Sequence, residues 1–146
     1  MEISQRWVDY FFRIVDVVKV NSRDVETKVG CVIVDQDKRI ISTGYNSFPA
    51  GCNDDLLPST RPEKYDFMVH AEVNAVMYAR TSLKGCSVFQ NISPCINCTK
   101  MLITAGVANV FFKTKYSDFD STLKVWDACG YLIIIHEDCY LMKKGD

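Results

Sequence analysis

His70-Ala71-Glu72 and, further along, Pro94-Cys95-Ile96-Asn97-Cys98 supply one imidazole, two thiols and a carboxylate. An imidazole nitrogen and two thiolates suit a zinc ion, and Cys95 and Cys98, three apart, share one helix face and can grip the same ion. No fourth ligand accompanies them. Zinc bound for structure is normally closed by four protein groups, whereas catalytic zinc keeps a position for water, whose pKa then falls from about 9 toward about 7. The spacing therefore predicts hydrolytic chemistry, with His70, Cys95 and Cys98 as ligands of Zn2+. Glu72, two residues from His70, is placed to shuttle protons between water and substrate.

Such residues act only if helix starts hold them face to face. Alanine, valine and methionine recur at helical spacing from Phe67 to Arg80, which puts His70 and Glu72 in a first turn. Pro94 fits a helix start and Gly106 a helix end, so Cys95 to Ala105 reads as a second helix. At a helix N-terminus the positive end of the dipole favours thiolates.

Around these two helices the chain predicts a helix from Ile3 to Val20, its apolar stripe carrying Ile3, Trp7, Tyr10, Phe11, Ile14, Val17 and Val18. An antiparallel hairpin follows, from Lys28 to Asp35 and from Arg39 to Tyr45, and then a long loop from Phe48 to Lys64. Strands are expected at Cys86 to Asn91, Val107 to Lys113 and Tyr131 to Ile135, with a helix from Phe119 to Ala128 and a short last helix. Strands alternating with helices imply parallel neighbours. The fold class expected is α/β, a three-layer α/β/α sandwich around a mixed five-stranded sheet, as one domain over residues 1–146.

Bulk properties narrow the function. The 146 residues are 48% hydrophobic and 24% charged, with 17 basic against 18 acidic side chains and a formal charge of -1. That balance excludes a general polyanion binder, so no stable nucleic-acid binding is expected. No apolar run is long enough to span a bilayer, and the N-terminal stripe is interrupted by Arg6, Asp9, Arg13 and Asp16; a cytoplasmic protein without a membrane segment is expected. Seven cysteines at irregular spacing argue against a disulfide framework.

The paired pattern His-x-Glu and Pro-Cys-x-x-Cys is that of zinc-dependent deaminases. From about Thr27 to Ile135 the chain resembles the deoxycytidylate (dCMP) deaminases of the cytidine deaminase-like superfamily. The resemblance is carried further by Thr27-Lys28-Val29-Gly30-Cys31-Val32-Ile33-Val34 and by Gly44-Tyr45-Asn46-Ser47-Phe48-Pro49-Ala50-Gly51-Cys52-Asn53-Asp54-Asp55. It implies the cytidine deaminase-like fold and hydrolysis of dCMP to dUMP with release of ammonia, supplying the precursor of dTMP. In that family pattern Asn46 bonds the deoxyribose, Lys28 and Tyr116 lie near the 5′-phosphate, and Ala71 and Ser93 complete the substrate site. The resemblance further implies a homohexamer activated by dCTP and inhibited by dTTP. The triphosphate and Mg2+ would sit on the loop of Gly51, Asn53, Asp54 and Asp55, whose acidic pair suits magnesium.

There are departures. Gln90-Asn91-Ile92-Ser93 precedes the Pro-Cys motif where many relatives have a more apolar strand, and Thr99 replaces a common alanine. His136 is the only other histidine, which leaves no obvious second zinc site. Three rival readings share parts of the pattern, and the first, a free cytidine or guanine deaminase, is disfavoured by the specific loop after Asn46. A deaminase of tRNA or single-stranded DNA should show a basic groove or tail, and here Lys143-Lys144 is short and followed by Asp146. A non-catalytic zinc or nucleotide-binding protein has no use for Glu72, which ligates nothing.

Overall fold

The computed structural model describes residues 3–146. Helix α1 (Gln5–Val20) leads into a hairpin of β1 (Gly30–Val34) and β2 (Ile40–Tyr45). Residues 46–70 form a loop with two short 3-10 turns, Asp54–Leu56 and Glu63–Asp66, and its ends are tied by a bridge between Ser47 and Val69. Then come α2 (Ala71–Tyr78), β3 (Ser87–Ile92), α3 (Ile96–Thr104), β4 (Asn109–Thr114), α4 (Phe119–Ala128), β5 (Tyr131–His136) and β6 (Cys139–Lys144).

The strands make one mixed sheet in the order β2-β1-β3-β4-β6-β5. Only β3 and β4 run parallel; every other adjacent pair is antiparallel. Here the structure corrects the expectation. The sheet has six strands rather than five, because the segment expected as a short last helix is β6, which inserts between β4 and β5. The reason lies in the turn: Glu137 takes a positive φ of 51° and closes a two-residue hairpin without the glycine or asparagine that usually announces one. Cys139 to Met142 then continues the strand pattern, with Leu141 facing one side of the sheet and Met142 the other.

Two apolar clusters, one on each face, make the three layers. On one face α1 packs Val8, Phe11, Phe12 and Val15 against Val32, Val34, Phe89, Phe111 and Leu141. On the other, Ala71 and Ala75 of α2, Leu102 of α3 and Trp126 of α4 cover Cys31, Ile33, Val88, Val110, Phe112 and Met142. The buried stripe of α1 is rotated from the expected one: Tyr10 and Val17 face solvent, while Val8, Phe12 and Val15 are inside. Apolar residues cover more than half of this helix's circumference, opposite Gln5, Arg6, Asp9, Arg13 and Asp16, so tertiary contact selects which part of that arc is buried. Two glycines set how closely helices approach. A Cβ on Gly30 would meet the Val15 carbonyl at 2.6 Å, and one on Gly44 the Ala71 carbonyl at 2.4 Å and the Ala75 nitrogen at 2.5 Å. Without side chains there, α1 and α2 lie directly on the hairpin from opposite faces. That contact, on the Gly44 side, brings α2 and its ligand to the sheet.

Candidate active site

His70 and Cys95 occupy the cap positions immediately before α2 and α3, with extended backbones (ψ 153° and 171°), and Cys98 lies in the first turn of α3. Neither cap side chain bonds its own helix end. Both point across to each other instead: His70 Nδ1 is 3.4 Å from Cys95 Sγ and 3.4 Å from Cys98 Sγ. Asp118 does the capping that Cys95 does not, accepting from the Ile96 N–H at 3.0 Å. Among the described residues this trio is the one cluster of three or more His, Cys, Asp or Glu ligand atoms within 4.8 Å of one another.

The trio fits zinc. Ligand bonds of about 2.0 Å to nitrogen and about 2.3 Å to sulfur at tetrahedral angles put N and S about 3.5 Å apart, which matches the 3.4 Å separations. The thiol chemistry fits as well. The Cys98 thiol donates to Cys95 and, with the His70 imidazole, holds the Cys95 thiol far below its ordinary value, while that hydrogen bond and burial push Cys98 up. The hydrogen bond to Cys95 in turn raises the imidazole of His70. The shared proton favours the thiolate that a cation binds, and a cation would displace it.

Glu72 is 4% exposed, and burial raises its carboxyl above the ordinary value while the neighbouring His70 opposes the rise. It lines the same pocket as His70, Cys95, Ala71, Asn46, Ser93 and Tyr116. Asn46 is buried and closely held: its Oδ1 accepts from Val29 N at 2.9 Å, and its Nδ2 donates to the Thr27 carbonyl at 2.9 Å and to Asp24 Oδ2 at 3.3 Å. Both N–H bonds are therefore used, and one Oδ1 lone pair remains for a hydroxyl donor. Ser93 Oγ accepts from Tyr116 N at 2.7 Å, and burial with a hydrogen bond to Tyr65 pushes the Tyr116 phenol up to about 12, so it stays a donor at neutral pH.

Lys28 is placed differently from the expectation. Its side chain is exposed, its Nζ donates to the Val20 carbonyl at 3.3 Å, and it does not line the pocket. β1 begins at Gly30, and Lys28 falls in the irregular segment before it, beside the end of α1. The cations of the pocket come from the long loop, as Arg61 and Lys64. Arg61 bonds Tyr65 Oη and Thr27 Oγ1, each at 2.6 Å, and lies 3.6 Å from Glu26. Lys64 is 3% exposed, its Nζ 2.9 Å from both Asp24 oxygens and 3.1 Å from Glu26. Sequence reasoning passed over Arg61, Lys64 and Asp24 because charged residues in loops look solvated, and over Tyr65 because it sits among them. For Gln90, also in the pocket, there was a signal: a polar residue where an apolar strand was expected.

Of the loop residues expected to hold an effector, Gly51, Asp54 and Asp55 line a second cavity of about 690 Å³. Asn53 does not line it; its side chain accepts from Asp55 N at 3.1 Å. Asp24 and Met68 line both cavities and form part of the wall between them.

Residues 5–114 match the family model of the cytidine and deoxycytidylate deaminase zinc-binding region. The chain belongs to the cytidine and deoxycytidylate deaminase family. It is 38% identical to human deoxycytidylate deaminase over 122 residues, 78% of this chain and 68% of that one. In structure it is similar to the dCMP deaminase of cyanophage S-TIM5 in complex with dCMP and dUMP. That match has a TM-score of 0.69 and 26% identity and covers 85% of this chain and 94% of the other. The apo form of the phage enzyme aligns at a TM-score of 0.70, with 25% identity over 84% and 94% of the two chains. Among the described residues no helix is long and apolar enough to cross a membrane.

Proposed function

We propose that this enzyme hydrolyses dCMP to dUMP and ammonia. The observation that carries the reading is one pocket in which His70 and Cys95, which cluster with Cys98 behind them, and the buried Glu72 share a wall with Asn46, Arg61, Tyr65 and Tyr116. A base at the cluster end leaves the sugar near Asn46 and the phosphate toward the loop cation. Zinc bound by the trio supplies the Lewis acidity that makes water a nucleophile near neutral pH.

Glu72 carries the protons. It accepts one as oxygen bonds to C4 of the pyrimidine, delivers it to N3, and assists as the C4–N bond breaks and the amine leaves as ammonia; one water is consumed. Its burial keeps the carboxyl from being pinned as a permanent anion. Asn46 Oδ1 receives the deoxyribose hydroxyl, the one bond its other partners leave open. Arg61 uses two donors on Tyr65 and Thr27 and has others free for phosphate oxygens, with Tyr116 beside it. Ala71 and Ser93 complete the lining.

The larger cavity, with Gly51, Asp54 and Asp55, is proposed as the seat of a dCTP or dTTP effector with Mg2+, and Asn53 shapes its loop. The wall shared through Asp24 and Met68 gives such a ligand a route to the catalytic pocket. The assembly proposed is a homohexamer working in the cytoplasm, supplying dUMP for dTMP synthesis. The reading is tested by ammonia release from dCMP, CMP, deoxycytidine and a tRNA stem-loop, each with and without dCTP or dTTP. Preference for dCMP with a sigmoidal curve that dCTP relieves supports it; activity confined to RNA rejects it.

A further inference from the structure

Gln90 is fully buried on β3, inside the catalytic pocket. Strand alternation sends Phe89 toward α1 and Val88 toward the α2–α4 face, so Gln90 faces the side of the sheet that bears the metal-ligand cluster. Its Nε2 donates to the Ile92 carbonyl at 2.5 Å, and the side chain lines the same pocket as Glu72. The first of these bonds fixes which end is which, since reversing the amide would set oxygen against oxygen. Oε1 is then left buried without a hydrogen-bond partner among the described residues. A buried carbonyl oxygen with no donor is costly, and in a ligand pocket it is an acceptor awaiting a ligand N–H.

We propose that Gln90 is a specificity-determining residue whose Oε1 accepts an N–H of the substrate's exocyclic amine. This rests on the dCMP reading. A cytosine linked to its sugar carries N–H groups only on the 4-amino nitrogen; N3 and O2 are acceptors. The reacting carbon must lie at Glu72 and the cluster, and Gln90 lines the pocket beside them, so the amine is the donor that faces Oε1. Hydrolysis replaces that amine by a carbonyl oxygen, which opposes Oε1 instead of bonding it. The same residue thus favours the amino substrate and loosens the product.

Gln90→Met keeps the volume and removes the acceptor. The experiment measures KM for dCMP and the inhibition constant of dUMP for the wild-type and variant holoenzymes, with zinc content and thermal midpoint as checks on folding. The expected result is a three- to tenfold rise in KM, the loss of one neutral hydrogen bond, while the dUMP constant stays level or falls. Gln90→Asn withdraws the acceptor by one methylene and shows a smaller split in the same direction; it replaces the Met variant if that one does not fold. A merely structural role moves both constants together or neither, and either outcome overturns the proposal. A wild-type enzyme inert toward dCMP would sink the substrate reading first, whereas an active one whose variants leave the ratio unchanged sinks this inference alone.

Discussion

Glu72 and Arg61 show how differently two charged side chains can be made to work. Glu72 is buried where ionisation is disfavoured, beside sulfur ligands and an imidazole, and it ligates nothing in the trio. Glu72→Gln keeps the shape and loses the proton carrier. Its expected outcome is unchanged zinc content by atomic absorption and a fall in kcat on the order of 10²–10⁴. An active variant would remove Glu72 from the chemistry. Arg61 is held in its pocket position by Tyr65 and Thr27. Arg61→Met is expected to raise KM for dCMP about 10- to 100-fold, the range of a charge-assisted hydrogen bond. Deoxycytidine, which lacks the phosphate, should lose little, and the comparison of the two substrates is the measurement. The sequence made Glu72 legible as the proposed proton carrier through its two-residue spacing from His70. It hid Arg61, because a loop cation becomes a pocket cation only through where the loop returns.

The 46–70 loop is the element on which the pocket most depends, and a buried ion pair holds it. Lys64 and Asp24 are 4% and 3% exposed at their side chains, and their contact joins this loop to the segment before β1. Burial alone would raise the Asp24 carboxyl; the N–H of Thr27, Lys64 and the N–H of Glu26 together bring it below its ordinary 3.8. A depressed carboxyl contributes stability that is present above the ordinary value and is lost as pH falls through the folded one. The thermal midpoint is therefore expected to drop below about pH 4, and Asp24→Asn should flatten that acid limb. Lys64→Met leaves a buried carboxylate without its cation and should cost about 3–5 kcal/mol in urea unfolding. Retained stability would show that the loop is anchored elsewhere. Helix α4 coincided with its expected ends and α2 began later than expected, at Ala71 instead of Phe67. The segment before α2 is taken up by the loop's last turn and by the Ser47–Val69 bridge. Periodicity reports the face a segment buries; it does not report where a loop's own hydrogen bonds displace the helix start.

At the scale of the molecule, β5 ends the sheet with Leu132, Ile133, Ile134 and Ile135 between 38% and 77% exposed. An apolar edge strand of this kind calls for cover, and the proposed homo-oligomer would supply it. Ile135→Lys is expected to shift sedimentation toward smaller species while leaving the fold intact; an unchanged distribution would assign the contacts to another face. The same corner of the sheet marks the limit of sequence reasoning. By itself the sequence determined the ligand trio, the α/β class and most elements, and it singled out Glu72 as the proposed proton carrier, because ligand spacing and hydrophobic period are local properties of the chain. Only the tertiary structure decided that β6 inserts beside β4, that α1 turns Val8 and Val15 inward, that Lys28 lies outside the pocket and that Arg61, Lys64 and Gln90 lie within it. Each of those outcomes joins residues far apart in the chain, and their contact free energy is set by the whole packed sheet rather than by any one segment's pattern.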